Sequence, residues 1–145
     1  MKNIEDLLNL TGIQIDDMEI NDNEVVIKCS SPFHEQICPD CKSKCSRVPK
    51  YYERTIRDLK IFGKQTILKL TVRQFKCKEC HSYFNEKFVF VNQKFRMTER
   101  YREYIYKCCQ GRDIKHVAEQ EVLSWDVVST IYESWVKKTQ LNTNK

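Results

Sequence analysis

The chain has little of what keeps a polypeptide open: three glycines and three prolines in 145 residues. That scarcity excludes collagen-like, linker-like and low-complexity organisation. It also lacks any uninterrupted apolar run of about 18 residues, so nothing in it reads as a membrane-spanning helix. The N-terminus, MKNIEDLLNLTG, places Glu5 and Asp6 where a secretory signal would be apolar, and export is not expected. What it does have is cysteine, eight in all. Without an export signal, such a count points to metal binding before disulfides. The length suits one ordinary domain or two small ones.

Charge is unevenly distributed. Residues 1–37 hold 2 basic and 8 acidic side chains, residues 38–97 hold 15 and 5, and residues 98–145 hold 8 and 7, within a net charge of +5. The middle block, net +10 by those counts, repels itself unless an anion neutralises it, and nucleic-acid phosphate is the usual anion. Lys44, Arg47, Lys50, Tyr51, Tyr52, Arg54 and Arg57 interleave cations with aromatic rings, which favours nucleic acid over a merely solvated surface.

Periodicity divides the chain into a β-rich first part and an α-only last part. Ile4, Leu7 and Leu8 carry the spacing of a short helix. Ile15–Ile20 and Glu24–Cys29 read as a hairpin turning at Asn21-Asp22-Asn23. Residues 30–50 show no period and read as loop. Tyr51–Leu59 and Gln65–Lys76 are strands joined by a turn at Phe62-Gly63-Lys64. On the second, Thr66, Leu68, Leu70 and Val72 share one face, and Lys69, Thr71 and Arg73 the other. Residues 86–97 read as a connector. Thr98 is an acceptable cap for a helix over 98–109, Asp113 for a second helix bearing Ile114, Val117 and Ala118, and Ser124 for a third whose stripe is Val128, Ile131, Tyr132 and Trp135.

Two pairs, Cys38-Pro39-Asp40-Cys41 and Cys77-Lys78-Glu79-Cys80, stand 35 residues apart. Two residues between thiolates let a tight knuckle offer both sulfurs to one ion, and two knuckles complete the closed tetrahedral site of a structural zinc. The intervening strand, turn and strand would return the second knuckle beside the first, as in a zinc ribbon. A redox pair would open a helix, and neither pair here does. Cys45, His34 and His81 lie close in sequence but are not needed as ligands; Cys29, Cys108 and Cys109 read as small buried thiols.

In the helical part, Ala118, Val122, Leu123 and Ser124 have the spacing of a helix-turn-helix, with the third helix as the recognition helix. Its outward residues are expected to be Trp125, Asp126, Ser129, Thr130 and Glu133. Arg112, Lys115 and His116 could hold phosphate, and Lys94-Phe95-Arg96 could act as an arm.

The runs C-P-D-C-K-S, Y-Y-E-R-T-I-R-D-L, I-F-G-K, L-T-V-R-Q-F-K-C-K-E-C and F-N-E resemble the zinc-ribbon region of ISL-three family insertion-sequence transposases. D-I-K-H-V-A-E-Q-E-V-L-S-W-D-V-V resembles that family's helix-turn-helix. The resemblance runs from about Leu7 to Trp135 and implies binding to the terminal inverted repeats of a mobile element, with Cys38, Cys41, Cys77 and Cys80 as zinc ligands. Two positions depart from it: Lys42 and Val122 stand where the family usually has glycine. The family's catalytic domain, with its acidic triad, would not fit in the residues after Trp135.

These readings combine into an α+β chain: a β-hairpin plus zinc ribbon over 1–85, a connector over 86–97 and a helix-turn-helix domain over 98–140. The expected function is sequence-specific binding of double-stranded DNA by a catalytically incompetent transposase fragment or regulator; the alternative is a zinc-stabilised protein-interaction module. One structural Zn2+ is the expected cofactor. Expected DNA contacts are Lys44, Arg47, Arg54, Arg57, Lys69, Arg73, Arg96, Arg112, Lys115, Ser124, Trp125, Ser129 and Thr130. A homodimer is compatible with this reading, no membrane or small-molecule partner is expected, and the expected location is the bacterial cytoplasm at the nucleoid.

Overall fold

The computed structural model describes residue 6 and residues 8–143, with side chains through residue 140. The helix expected around Ile4 and Leu7 therefore lies outside the described residues, although Leu8 itself is buried. The fold is α+β, and the chain divides into two compact units, residues 1–98 and 99–145.

The first unit is built on a five-stranded sheet. Strands β1 (Gln14–Ile20) and β2 (Glu24–Ser30) form the expected hairpin. Its turn is an Asx turn, in which the Asn21 side-chain oxygen accepts from the backbone N–H groups of Asn23 and Glu24 at 2.9 and 2.8 Å. After two short strands, β3 (Gln36–Ile37) and β4 (Lys44–Cys45), come the long strands β5 (Lys50–Ile61) and β6 (Lys64–Lys76), then β7 (Tyr83–Asn85). Sheet order is β1-β2-β6-β5, with β7 on the far end of β6; β2 and β6 are parallel and the other pairs antiparallel. The segment 30–50, expected as loop, thus contains a small two-stranded ribbon. Only four residues form it, too few to show a period of two.

The alternation expected on β6 holds from Thr66 to Val72, where every second residue is buried. These residues meet Val25, Ile27 and Cys29 of β2 and Ile56 of β5 in one apolar core. The segment after β7 covers this face rather than merely connecting: Val91 is buried in the same core, and Phe88 and Phe90 pack against it. Its end is fastened to the edge of β5. The Arg57 N–H donates to the Arg96 carbonyl at 2.9 Å, and the Thr98 N–H donates to the Arg57 carbonyl at 3.0 Å. The Thr98 hydroxyl donates to the Asp58 carboxylate at 2.7 Å, both groups being buried.

The second unit consists of α1 (Glu99–Cys109), α2 (Ile114–Glu121) and α3 (Trp125–Thr143). Tyr101, Ile105, Val117, Ala118, Val128 and Ile131 are buried in it. The Tyr101 hydroxyl donates to the equally buried Glu121 carboxylate at 2.7 Å, so the phenol resolves a group that would otherwise be costly to bury. Asp113 caps α2 by accepting from the His116 N–H at 2.7 Å, and Ser124 caps α3 by accepting from the Val127 N–H at 3.2 Å.

Val122 closes α2 in the left-handed conformation, φ 56° and ψ 52°, with its side chain 71% exposed. A β-branched residue there is strained, by about 1–2 kcal/mol relative to right-handed backbone. No packing compensates for it. Val122→Gly should therefore stabilise the helical unit by roughly 1 kcal/mol after the entropy of glycine is discounted. Thermal unfolding followed by the helical circular dichroism signal checks this: the midpoint should rise, and a fall would show that Val122 contributes packing which its exposure conceals.

Candidate metal centre and nucleic-acid interface

The β5–β6 hairpin carries the chain away from the first cysteine pair and back to it. The Sγ atoms of Cys38, Cys41, Cys77 and Cys80 all lie within 4.8 Å of one another. Cys38 and Cys80 are 3.6 Å apart, and Cys41 and Cys77 are 3.4 Å apart. Sulfurs held tetrahedrally at about 2.3 Å from zinc would be roughly 3.8 Å apart, so the cluster fits one structural zinc with little adjustment. Cys38 and Cys77 are buried and Cys41 and Cys80 exposed. All four places of a tetrahedral ion would be filled by protein, which leaves none for a reacting molecule. Among the described residues, Cys45, His34 and His81 are not in the cluster. Cys45 instead packs with Phe75, Val48 and Phe84 in a small core beneath the knuckles.

The two knuckles are built alike. Cys38 N–H donates to the Ser43 carbonyl and Cys77 N–H to the Ser82 carbonyl, both at 2.9 Å; Lys42 N–H donates to the Cys38 carbonyl and His81 N–H to the Cys77 carbonyl, both at 3.0 Å. Lys42 and His81 both have φ 64°. The Ser43 and Ser82 hydroxyls each lie 3.2 Å from the second sulfur of their own knuckle. Hydrogen bonding to the Ser43 side chain, then its backbone, holds the Cys41 thiol down at about 6, and Ser82 lowers Cys80 in the same way. These serines were not singled out from the sequence, although the signal was there: both pairs continue as C-x-x-C-x-S.

The expected DNA contacts separate by environment. Lys44 and Arg47, beside the first knuckle, are exposed, as are Arg96, Arg112, Lys115, Trp125 and Thr130. Lys69 and Arg57 are half-buried. Four of the expected contacts are engaged within the chain or buried. Arg73 is consumed by an ion pair with Glu86 at 2.8 Å, in which the side chains are 15% and 1% exposed, and it also donates to the Phe33 carbonyl. Arg54 lies on the core-facing side of β5, opposite Leu70 in register, and its guanidinium donates to the Asn92 and Phe95 carbonyls. It fastens the covering segment, and desolvation lowers its pKa. The Ser124 hydroxyl is engaged as the α3 cap. Ser129 is buried at 9% exposure: it follows Val128 directly, and its short side chain stays within the flank of the buried stripe instead of reaching outward. The outward face of α3 is left with Trp125, Asp126, Val127, Thr130 and Glu133.

The resemblance can now be set against family models. One described as the zinc-finger of transposase IS204/IS1001/IS1096/IS1165 matches residues 34–80, and one described as the helix-turn-helix domain of transposase family ISL3 matches residues 86–136. The chain carries the zinc ribbon and the helix-turn-helix of ISL3 transposases. No curated protein and no solved structure matched it. The two positions at which the resemblance leads one to expect glycine, Lys42 and Val122, adopt left-handed backbone, with φ 64° and 56°.

Two outcomes test the centre. Purified protein should contain one zinc per chain, and a thiol reagent should reach no more than Cys108 and Cys109 until a chelator is added. Cys29 stays protected by burial, which pushes its thiol up to about 12. Zinc-free protein, or rapid reaction of six thiols before chelation, would refute the site. Separately, Arg73→Ala should destabilise the first unit by about 3–5 kcal/mol, because it strands the buried Glu86 carboxylate. Denaturant titration measures this, and a near-neutral effect would return Arg73 to the list of candidate phosphate contacts.

Proposed function

We propose that this chain binds the terminal inverted repeats of a mobile element as double-stranded DNA, in the bacterial cytoplasm at the nucleoid. The observation that carries this reading is the α2–turn–α3 arrangement in a chain with an ISL3 helix-turn-helix. Asp113 and Ser124 cap the two helices, Ala118 lies buried where they meet, and the first turns of α3 expose Trp125, Asp126 and Thr130. A recognition helix reads bases from its N-terminal turns.

Within this reading the zinc ribbon supplies affinity and α3 supplies choice of sequence. Lys44, Arg47, Lys69, Arg57, Arg96, Arg112 and Lys115 are the candidates for phosphate, which fixes register without reading bases. Thr130 can accept or donate to a base edge, and Trp125 can pack on a thymine methyl or on sugar. So neutral a reading surface discriminates weakly, which fits a division of labour with the arm Lys94-Phe95-Arg96. We assign these residues to DNA binding.

Selection from a random duplex pool should return a defined motif. Trp125→Ala combined with Thr130→Ala should then flatten the preference for that motif by about 1–3 kcal/mol while helicity is retained. Lys44→Ala with Arg47→Ala should weaken all sequences alike and reduce the slope of log affinity against log salt by about 0.9 per lost contact. Absence of salt-dependent duplex binding by the wild-type protein would reject the function.

A further inference from the structure

The four sulfurs of the metal centre differ in what surrounds them. Cys38 and Cys77, the first of each pair, are buried, whereas Cys41 and Cys80, the second, are exposed. Each buried sulfur is met by two backbone donors of its own knuckle: the N–H groups of Cys41 and Asp40 at Cys38, and those of Cys80 and Glu79 at Cys77. Each exposed sulfur is met by one, the N–H of Ser43 at Cys41 and that of Ser82 at Cys80. The backbone thus leaves the outer pair one donor short. The Ser43 and Ser82 hydroxyls, each 3.2 Å from its sulfur, fill that place.

A zinc-bound thiolate has no proton, so in the loaded centre the hydroxyl donates and the sulfur accepts. Four thiolates carry twice the charge of the Zn2+ they surround, and a hydrogen bond to a charged acceptor is stronger than one between neutral groups. The backbone that presents each hydroxyl is itself fixed. The Ser43 carbonyl accepts from the Cys38 N–H and the Ser82 carbonyl from the Cys77 N–H, both at 2.9 Å, and both serines are half-buried. The knuckles reach this arrangement from different runs, C-P-D-C-K-S and C-K-E-C-H-S, so the hydroxyl-to-sulfur contact is made twice, once for each exposed ligand. Those two sulfurs form the side from which an incoming ligand can reach the zinc–sulfur bonds.

We propose that Ser43 and Ser82 are positioning residues of the zinc centre: their hydroxyls hold the two solvent-facing thiolates on the ion and set how tightly, and for how long, it is retained. Groups that hydrogen-bond to metal ligands orient them and govern affinity without touching the metal. The inference stands on the cysteine cluster alone and is independent of what the chain binds.

The test uses the full chain and measures metal in the absence of DNA. Zinc is titrated against a chromogenic chelator at one fixed pH, and its release into excess chelator is timed. A Co2+-loaded sample reports on the sulfurs through its thiolate-to-metal charge-transfer band. Ser43→Ala combined with Ser82→Ala should weaken zinc binding by about 10–100-fold and speed its release, and either change alone should fall between. In the Co2+ form the visible bands of a tetrahedral four-sulfur ion should stay, because the cysteines are untouched. The charge-transfer band should move to longer wavelength, because a thiolate that has lost a hydrogen bond gives up an electron more easily. Ser43→Thr with Ser82→Thr keeps both hydroxyls and should restore affinity, release rate and band position. If the alanine variants hold zinc as wild type does, the serines are ordinary surface residues and the proposal is overturned. If they lose zinc with the band unmoved, or if threonine restores nothing, the serines act by shaping the knuckle backbone and the role of the hydroxyls is overturned. A wild-type chain that takes up no metal would reject the centre itself, and the proposal with it.

Discussion

Four sulfurs within 4.8 Å of one another cannot remain together as thiolates without a cation to neutralise them, and the first unit depends on that constraint. The knuckles have no large apolar mass of their own. Beneath them lie only Phe75, Cys45, Val48 and Phe84, with the two rings stacked at 5.6 Å. Structural zinc in small fingers contributes roughly 10–16 kcal/mol, which exceeds what so small a cluster can supply. With the ion in place, the ends of a loop of 35 residues are closed, and the register of β5 on β6 is held from its open side as well as from its turn.

Away from the metal, the structure is secured by buried polar pairs. Glu86 with Arg73 and Asp58 with Thr98 all involve residues of the segment 86–98 meeting β5 or β6, and Arg54 adds two bonds to that segment's carbonyls. A stretch that reads as a tether becomes the lid of the sheet's core because each of its polar anchors is satisfied. Two arginines that look like phosphate contacts, Arg54 and Arg73, are engaged in this way. The exposed cations of residues 38–97 are Lys42, Lys44, Arg47 and Lys50 near the first knuckle, and Lys60, Lys78, Lys87, Lys94 and Arg96.

Among the described residues, Asn9, Lys42, Phe62, His81 and Val122 adopt positive φ without being glycine. Lys42 and His81 shape the metal knuckles, Phe62 the β5–β6 turn and Val122 the helix-turn-helix corner. The hydrogen bonds of the knuckles, the Lys64 ammonium on the Asn21 and Asp22 carbonyls and the α2 cap hold these four bends.

Local information was enough for much of this protein. The C-x-x-C spacing identified the ligands because two thiols on one tight knuckle can reach one ion whatever the rest of the fold. The change from a period of two to one of 3.6 after Met97 separated sheet from helices, and Asp113 and Ser124 marked helix starts because capping is a matter of a few neighbouring atoms. Tertiary structure alone decided which side of the sheet each charge faces. Arg54 and Arg57 are three residues apart and alike in sequence, but β5 turns one to the core side and the other to the outer face. Arg73 alternates correctly for a solvent face and is still claimed by Glu86, 13 residues away, because β7 folds back onto the end of β6. Ser129 is polar and flanks the stripe, yet it is buried beside Val128. Availability depends on what packs over a side chain from distant parts of the chain, and no period or motif along the sequence carries that information.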